Sequence, residues 1–566
     1  MSYLKRKFKK ILKTFHNKMN GMSNTESNNI SENQDMISRP RKPPSLIKTV
    51  INIIHRFLIV VLRAILDFWY KGKEKSMPPI EDLLLLESAT SLAHKIRVQK
   101  ITSVQVLNSF IERIKKVNPL LNCVVDERFD EALVQAAEAD SLIQSGVHTE
   151  KELEEIFPFL GVPFTTKDCI MVKGMLNTAG LYKRKDFRGD DDADAIKLIR
   201  KAGAIPIALT NVSECCMWWE SSNTVHGRTN NPYNTTRIVG GSSGGEGCLQ
   251  AAAGSPLGIG SDIGGSIRMP AFFNGIFGHK PSRNIVSNKG QYPIPNCEEQ
   301  NSFLGIGPMC RFAVDLKPTL KIIAGENAKL LNLDAPVNLE NVKFFYQESD
   351  GGGFMISPVD ADQLAALQKV VKHFERAFKV KPKKVQFEQF KQAATIWLGN
   401  MADNSGIDFA TQLGNLKERI SPGWEMLKWF FGCSKHTFVG LLTCFAEDNG
   451  VKFGSEKHKY LVKKRDDLRV EMQKMLGDNG VFLYPTHPTV APYHNEPIAR
   501  TFNFTYTAII NVLGFPATTI PLGLGKEGLP LGIQVVANFN QDRLCLAVAA
   551  ELERVFGGWV APEILA

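Results

Sequence analysis

The sequence predicts an α/β protein, in which helices cover a large β-sheet. Two segments carry this prediction, because each joins a strand pattern to a helix pattern. Residues 121–140, LNCVVDERFDEALVQAAEAD, give a short apolar strand followed by a helix. Residues 192–212, DADAIKLIRKAGAIPIALTNV, give a helix, a glycine turn and an apolar strand. Alternation of this kind builds a sheet with helices on its faces.

The basic charge of the chain is confined to its N-terminal arm. Residues 1–75 carry 16 Lys/Arg against five Asp/Glu, a net charge of +11, whereas the whole chain carries +10. The rest of the chain is therefore close to neutral, which argues against nucleic acid as a partner. The ten cysteines form no C-x-x-C pair and no Cys/His metal spacing. They indicate buried thiols in a reducing compartment and no metal site.

The arm itself predicts contact with a membrane. Residues 3–19 place apolar side chains at spacings of three and four, with lysines on the other faces. This pattern is a basic amphipathic helix, typical of a membrane-surface anchor. A mitochondrial presequence is the alternative, because no acidic residue appears before Glu26. We expect a disordered linker to complete the segment 1–45, since residues 20–45 are rich in Asn, Ser, Glu and Pro.

Residues 46–75 predict an apolar helix that anchors the chain at a membrane. The apolar run is long enough to span a bilayer. Polar residues nevertheless form one stripe along residues 46–70, namely Lys48, Asn52, His55, Arg56, Arg63 and Asp67. One stripe suits a helix lying in the membrane interface, and it also suits a spanning helix that hides the stripe against a partner. A soluble helix packed on the body is the third alternative.

Three residues in separate motifs indicate the chemistry. Lys167 ends the apolar run VPFTTK, where burial favours the neutral amine, a usable general base. Ser242 lies in GGSSGGEG, which contains the G-x-S-x-G pattern of the nucleophile elbow. A second Gly/Ser cluster, GIGSDIGGSIRMP, is centred on Ser266. A single elbow would not need this second cluster, so the G-x-S-x-G match alone does not explain the region.

In this order, VPFTTKD, GGSSGGEG and DIGGSIRMP resemble the amidase signature family of serine hydrolases. GRTNNPYN before the second motif and NVLGFPATTIPLG near the end support the resemblance, which covers one catalytic domain at residues 80–566. The resemblance implies a large, mixed, twisted β-sheet covered by helices on both faces. It also implies hydrolysis of amides without a cofactor or a metal.

The family's mechanism implies a role for each of the three residues. Ser266 resembles the nucleophile, Ser242 the bridging serine, held by a cis peptide bond, and Lys167 the base. Two hydroxyls and a neutral amine can pass a proton without a histidine. The family's oxyanion and substrate contacts correspond here to Ile263, Gly264, Gly265 and Cys216.

Several neighbouring features are expected to be structural. We interpret Asp262 and Arg268 as supports of the second Gly/Ser loop, and Gln250 as a departure from an apolar family position that affects packing. His279 and His487 offer a Ser–His alternative, but the sequence suggests no acidic partner for either. A G-x-G-x-x-G match at residues 523–528 precedes a strand and not a helix, which argues against a dinucleotide cofactor.

The substrate is predicted from apolar segments. Residues 424–445 are dense in aromatic side chains and predict either a cap that dips into a membrane or an ordinary core helix. Met217, Trp218 and Trp219 are candidates to line an acyl channel. Together with the apolar helix, they predict hydrolysis of fatty-acid primary amides or N-acylethanolamines.

This hypothesis places the enzyme on an intracellular membrane, either crossing it once or lying on one face, with a lipid amide and the membrane as partners. A homodimer remains open. The alternatives are a soluble amidase for small amides, a mitochondrial glutamine amidotransferase subunit, and a catalytically inactive lipid-binding or scaffold protein.

Overall fold

The computed structural model describes residues 46–562. The amphipathic helix and linker expected at residues 1–45 lie outside the described residues. Compactness divides the chain into residues 1–49 and residues 50–566. The account below concerns the second unit, apart from the N-terminal turn of the first helix.

The described residues contain thirteen β-strands, of which eleven form one sheet. The strands are β1 Val124–Glu127, β2 Pro163–Lys167, β3 Ile205–Thr210, β4 Ser222–Asn223, β5 Gly227–Arg228, β6 Gly258–Asp262, β7 Phe277–Lys280, β8 Gly305–Cys310, β9 Lys343–Tyr346, β10 Lys383–Lys384, β11 Gly480–Pro485, β12 Ala517–Leu524 and β13 Pro530–Ala537. The order across the large sheet is β1-β3-β2-β6-β8-β7-β12-β13-β11-β9-β10, and β4 pairs with β5 separately.

The large sheet is mixed and buried on both faces. Strands β3, β2 and β6 run parallel, as do β11, β9 and β10, and the strands between β6 and β11 pair antiparallel. Every residue of β2, β3, β6, β7, β8, β11 and β13 is buried. Successive strand residues point to opposite faces, so complete burial requires cover on both. The predicted α/β class with a large mixed sheet is confirmed.

The α-helices supply most of this cover. In chain order they are α1 Leu46–Tyr70, α2 Ala89–Arg97, α3 Ser103–Leu121, α4 Phe129–Gln144, α5 Glu150–Ile156, α6 Asp194–Lys201, α7 Gly244–Ala251, α8 Arg268–Phe273, α9 Glu298–Phe303, α10 Leu316–Ile323, α11 Ala361–Ala377, α12 Ala393–Asn400, α13 Phe409–Leu413, α14 Pro422–Phe430, α15 Phe438–Asp448, α16 Glu456–Leu476, α17 Thr505–Leu513 and α18 Asp542–Phe556.

Local sequence signals fix the ends of these elements where they matter for the site. Helix α3 begins at a capping box formed by Thr102 and Gln105, and ends at Asn122 in the left-handed region. Helix α7 begins inside the first Gly/Ser motif. A Cβ on Gly245 would collide with the backbone of Asn211, so only glycine lets the helix start this close to the end of β3.

The inward face of helix α1 is partly polar. His55 donates from Nε2 to the carbonyl oxygen of Ala499 at 2.8 Å, and Asn52 Oδ1 accepts the Met355 N–H at 2.9 Å. Arg63 Nη2 donates to a Glu527 carboxylate oxygen at 2.6 Å. The sequence predicted this polar stripe, and the structure shows that Asn52, His55, Arg63 and Asp67 bond to the protein body, whereas Arg56 is exposed.

The outward face of α1 is apolar and exposed. Phe68 is 83 % exposed and Trp69 is 62 % exposed. Nine further side chains share this exposure, namely Val50, Ile51, Ile53, Ile54, Phe57, Leu58, Val60, Val61 and Ile65. A soluble helix would turn its apolar face to the core, so this orientation is the reverse of the soluble alternative.

No helix within residues 46–562 is long and apolar enough to cross a membrane. The expectation that residues 46–70 form a transmembrane helix is therefore not supported. Two arginines and an aspartate interrupt the apolar run of α1, and Arg63 and Asp67 among them bond to the protein body.

Arg63→Ala is expected to loosen α1 from the protein body, because it removes the ion pair with Glu527. Limited proteolysis should then cut within residues 50–70 faster than in the parent protein. Arg56→Ala is the matched control, because Arg56 is an exposed arginine on the same helix. Equal acceleration in both variants would contradict the described docking of α1.

Candidate active site

Lys167 lies at the end of β2 and is completely buried. Its Nζ donates to Ser242 Oγ at 2.9 Å, to Ser261 Oγ at 3.0 Å and to the Ser261 carbonyl oxygen at 3.3 Å. All three partners are neutral, and among the described residues no carboxylate forms an ion pair with this amine. The amine is thus within hydrogen-bond reach of the Ser242 hydroxyl, as proton exchange between the two groups requires.

Ser242 and Ser266 lie on two adjoining loops. The peptide bond between Gly241 and Ser242 is cis, as the resemblance implies. The N–H of Ser243 donates to the carbonyl oxygen of Ser266 at 3.2 Å and ties the loops together. Ser242 is buried, and Ser266 is only 8 % exposed. The structure therefore brings Lys167, Ser242 and Ser266 into one site, although they come from three separate motifs.

Cys216 lies at the same site. Its thiol contacts the thiol of Cys169 and the hydroxyl of Ser242. The hydrogen bond from Cys169, the nearby Lys167 amine and the Ser242 hydroxyl lower the pKa of Cys216 to about 7, against the opposing effect of burial. The predicted substrate-contact residue is thus adjacent to the candidate base and its serine partner.

Two hydrogen bonds from distant side chains hold the loop from Ile263 to Ser266 in place. Trp397 Nε1 donates to the Ile263 carbonyl oxygen at 3.2 Å, and Thr507 Oγ1 donates to the Gly264 carbonyl oxygen at 2.8 Å. A trans peptide directs its N–H opposite to its C=O, so these bonds fix the N–H directions as well.

One predicted oxyanion donor is already in use. The N–H of Gly265 donates to Asp262 Oδ1 at 2.7 Å, so it faces the protein interior. Within residues 46–562, the N–H groups of Ile263, Gly264 and Ser266 have no hydrogen-bond acceptor. Gly265 is required for another reason, since its φ is +118° and a Cβ there would collide with Thr507.

A buried ion pair supports this loop. Arg268 donates from Nε to Asp262 Oδ2 at 3.0 Å and from Nη2 to Asp262 Oδ1 at 3.1 Å. Burial favours a raised pKa for Asp262, but Arg268 and Asn511 outweigh it and hold the pKa well below the usual range. The expectation that Asp262 and Arg268 support the loop agrees with these contacts.

Sequence reasoning missed a buried network behind Lys167. Glu246 accepts hydrogen bonds from Thr165 Oγ1 at 2.5 Å, from Thr210 Oγ1 at 2.8 Å and from Gln250 Nε2 at 3.0 Å. Thr165 and Lys167 are two apart on β2 and share one face of the sheet. Gln250, which departs from the apolar family position, therefore has a polar partner. The sequence did carry one signal of this network, because Glu246 and Gln250 lie four residues apart on α7 and so face the same side of the helix.

Glu246→Gln is expected to stabilise the protein above neutral pH. Burial raises the pKa of Glu246 to about 7, although its three hydrogen bonds oppose this effect. A carboxyl group whose folded-state pKa is raised stabilises the fold at low pH, and that contribution is lost as the pH rises through the folded-state value. Glutamine keeps the shape and cannot ionise.

The melting temperature of Glu246→Gln should thus exceed that of the parent protein above neutral pH, with a difference that shrinks on acidification. Glu246→Ala is the comparison variant, because it leaves the Thr165 and Thr210 hydroxyls without their acceptor and should melt lower at every pH. A constant difference between Glu246→Gln and the parent protein across the pH range would show that this carboxyl does not titrate there.

The two candidate histidines lie in structural positions. His279 Nδ1 pairs with Thr518 Oγ1 at 2.8 Å, and its Nε2 pairs with Asp542 Oδ1 at 3.1 Å. The structure thus supplies the acidic partner that the sequence did not suggest, but both ring nitrogens are engaged away from the serines. Burial lowers the pKa of His487 to about 3, and its ring packs against Trp219.

A cavity of about 370 Å³ is lined by Trp218 and by polar side chains such as Glu220 and Arg228, and its lining includes none of Lys167, Ser242 and Ser266. Its walls include Trp218 and Trp429, with Ile498 from the segment on which α1 docks. The Trp218 carbonyl packs so closely against Gly241 that a Cβ at that glycine would collide with it. Trp219, a predicted channel residue, is instead 2 % exposed and belongs to an aromatic cluster of the core.

The family of the chain follows from comparison with known proteins. A family model described as Amidase matches residues 105–546. Fatty-acid amide hydrolase 2 of Homo sapiens is 47% identical over 497 residues, which cover 87% of this chain and 93% of that protein. The chain belongs to the amidase family. The family resemblance read from the motifs is confirmed, and the protein is an amide-bond hydrolase.

A more distant sequence relative and a solved structure extend the comparison. A glutamyl-tRNA(Gln) amidotransferase subunit of Marinomonas sp. is 28% identical over 489 residues, covering 83% of this chain and 96% of that protein. A solved structure of fatty acid amide hydrolase shares 23% identity with a TM-score of 0.67, covering 89% of this amidase and 91% of that chain. The latter comparison shows a common fold.

Proposed function

We propose that this amidase hydrolyses fatty-acid amides at a membrane surface, with Ser266 as nucleophile, Ser242 as bridging serine and Lys167 as base. The observation that carries the catalytic part is the 2.9 Å hydrogen bond between Lys167 Nζ and Ser242 Oγ, two side chains that are both buried. A neutral amine at this distance can accept the hydroxyl proton of Ser242.

The proton transfers follow the order of the three groups. Lys167 takes the proton of Ser242 while Ser242 takes that of Ser266, and Ser266 Oγ attacks the amide carbonyl. The chain then runs backward to protonate the departing amine, and water hydrolyses the acyl-enzyme. Within residues 46–562 no hydrogen bond joins the two serine hydroxyls, so Ser266 Oγ must turn onto Ser242 when substrate binds.

The tetrahedral oxyanion is stabilised by the backbone donors of the second Gly/Ser loop. We assign this task to the N–H groups of Ile263, Gly264 and Ser266, and not to Gly265, whose N–H is bonded to Asp262. Each such donor typically contributes about 3 kcal/mol of transition-state stabilisation. Asp262 contributes indirectly, because it holds the loop in the conformation that presents these donors.

Substitution of the three proposed catalytic residues should separate their roles. Ser266→Ala should reduce amide hydrolysis by at least roughly 10³-fold, because no nucleophile remains. Lys167→Ala should reduce kcat by roughly 10²–10⁴-fold, with a larger loss at about pH 7 than at about pH 9, where hydroxide can replace the base. Ser243→Ala is the matched control, a buried neighbouring serine outside the proposed relay.

Steady-state hydrolysis of oleamide and an N-acylethanolamine, with labelling by a fluorophosphonate probe, measures these effects. The probe should label the parent protein and not Ser266→Ala. A folded His279→Ala variant with no activity would contradict the proton relay, since His279 contacts none of its members. A Ser266→Ala variant with parent activity would overturn the nucleophile assignment.

The choice of fatty-acid amides rests on the relatives and on the surface around the cavity. The similarity to fatty-acid amide hydrolase 2 is 47% identity, against 28% for the amidotransferase subunit. The cavity at Trp218 is lined in part by Trp429 of α14 and by Ile498, whose side chains are exposed and apolar. A long acyl chain delivered from a lipid surface suits such an entrance, whereas a small polar amide does not require it.

The membrane part of the proposal rests on helices α1 and α14. In α14, Trp424 is 58 % exposed and Phe430 is 70 % exposed, and among its residues only Pro422 is buried. Of the two alternatives for residues 424–445, these exposures favour a cap that dips into a membrane over an ordinary core helix. We infer that α1 and α14 lie in the interface of one leaflet of the same intracellular membrane, with the polar face of α1 on the protein body.

Replacing apolar side chains on α1 should release the protein from lipid vesicles. Burial of a phenylalanine contributes about 1.5–3 kcal/mol, so Phe57→Asp with Phe68→Asp should weaken vesicle binding by at least about 100-fold. Val134→Asp, at a 61 % exposed position on α4, is the matched control. Vesicle co-sedimentation of the full-length protein measures the effect.

The same double variant should lose hydrolysis of vesicle-borne oleamide more than hydrolysis of a soluble short-chain amide. Full vesicle binding by the double variant would remove α1 from the membrane proposal. Activity confined to the short-chain amide in the parent protein would favour the soluble amidase and leave the catalytic assignment intact.

A further inference from the structure

We propose that Cys169 and Cys216 form a peroxide-sensitive thiol pair, a modification site at which a disulfide closes and stops hydrolysis. The loss of hydrolysis rests on the proposed function above, whereas the formation of the disulfide does not. The reactant is a hydroperoxide, such as hydrogen peroxide.

The two thiols converge beside Lys167 from different elements. Cys169 follows β2, and its N–H donates to the Lys167 carbonyl oxygen at 2.7 Å. Its Sγ lies 3.9 Å from Ser261 Oγ, which itself accepts from Lys167 Nζ. Cys216 ends the 3₁₀ turn Glu214–Cys216, in which the N–H of Cys215 donates to the Ala179 carbonyl oxygen at 2.8 Å. The N–H of Ala179 in turn donates to the Asp168 carbonyl oxygen at 2.7 Å, so the segments that carry the two cysteines adjoin, and their thiols contact each other. A disulfide can close between thiols on such adjoining segments.

The two sulfurs differ in exposure and in the direction in which their pKa values are shifted. Cys216 is half-buried and faces the site, whereas Cys169 is 1 % exposed. The Cys169 thiol, the Lys167 amine and the Ser242 hydroxyl lower the pKa of Cys216, while burial raises the pKa of Cys169. The thiolate is the nucleophilic form of a cysteine, so Cys216, which is the more exposed and the more readily ionised of the two, attacks the peroxide and Cys169 resolves the product.

The chain contains a second thiol pair that serves as an internal comparison. Cys123 and Cys248 also contact one another, but both are completely buried. Burial raises the pKa of Cys248 well above its usual value, and the neighbouring Cys123 thiol raises it further. Proximity is therefore shared by both pairs, and only the Cys216 pair combines it with a half-exposed sulfur and a neighbouring amine.

The chemistry balances with one peroxide per disulfide. The Cys216 thiolate attacks a peroxide oxygen, an S–O bond forms and the O–O bond breaks. The departing hydroxide takes up the proton that left Cys216 and becomes water. The Cys169 thiol then attacks the sulfenic sulfur, an S–S bond forms, the S–O bond breaks and a second water leaves with the Cys169 proton. Two thiols lose two electrons, and the peroxide gains them.

A disulfide between Cys169 and Cys216 would displace backbone that packs directly against the proposed catalytic residues. It removes the Cys216 thiol that contacts Ser242, and it draws residue 216 toward β2. Two residues later, the Trp218 carbonyl packs directly against Gly241 and accepts from Ser213 Oγ at 3.0 Å. Movement of residues 216–218 therefore shifts the peptide that carries Ser242, and the interior does not yield easily to such a shift.

Thiol mapping of the full-length protein tests the modification. The protein is treated with hydrogen peroxide, free thiols are capped with N-ethylmaleimide, and non-reduced peptides are analysed by mass spectrometry. The expected result is a peptide pair linked through Cys169 and Cys216 that appears before any link between Cys123 and Cys248. Cys169 and Cys216 that remain capped, or a Cys123–Cys248 link that forms as fast, would overturn the proposal.

Oleamide hydrolysis, measured in parallel, tests the effect. The parent protein should lose about tenfold or more in kcat/KM as the link forms and recover it with dithiothreitol. Cys169→Ser should form no disulfide, and Cys248→Ala should keep the parent's peroxide response, each relative to its own untreated activity. A disulfide that leaves activity unchanged would refute its inhibitory effect. A protein that is inactive on every amide before treatment would refute the proposed function instead. The thiol mapping would still show whether the disulfide forms.

Discussion

The ion pair between Asp262 and Arg268 organises the centre of this amidase. Both side chains are completely buried, and their partners include Gln534 on β13 and Asn511 on α17. Removing one member of such a pair leaves an uncompensated buried charge and typically costs about 3–5 kcal/mol. The loop that carries Ser266 lies between the two charges in sequence, so its shape depends on a bond that also joins the sheet to its covering helices.

The motifs indicate which groups we propose to react, because short glycine- and serine-rich segments carry that information locally. They did not predict what holds those groups in place. Thr507 and Trp397 bind the loop of residues 263–266 from more than 130 residues away in sequence. His279 and Asp542 are 263 residues apart. Contacts at such separations leave no periodic or spacing signal in a single sequence, so only the tertiary structure shows them.

Helix α1 shows a different limit of sequence reasoning. Its periodicity predicted the polar stripe, since a stripe is a property of one helix. What the stripe contacts depends on the whole fold. The same pattern suits a helix in the membrane interface, a spanning helix packed on a partner, and a soluble helix packed on the protein body. The structure places His55 and Arg63 against Ala499 and Glu527, which turns eleven apolar side chains outward. The cavity at Trp218 is lined by Ile498, which belongs to the segment on which this helix docks.

The docking of α1 also has a consequence for biosynthesis. Arg63 and Glu527 are 464 residues apart, so the ribosome completes the partner of the helix long after the helix itself has emerged. At synthesis rates of roughly 5–20 residues per second, this delay lasts about 20–90 s. During that interval Arg63 has no Glu527 to pair with, whereas the apolar face of α1 is already complete and available to other surfaces.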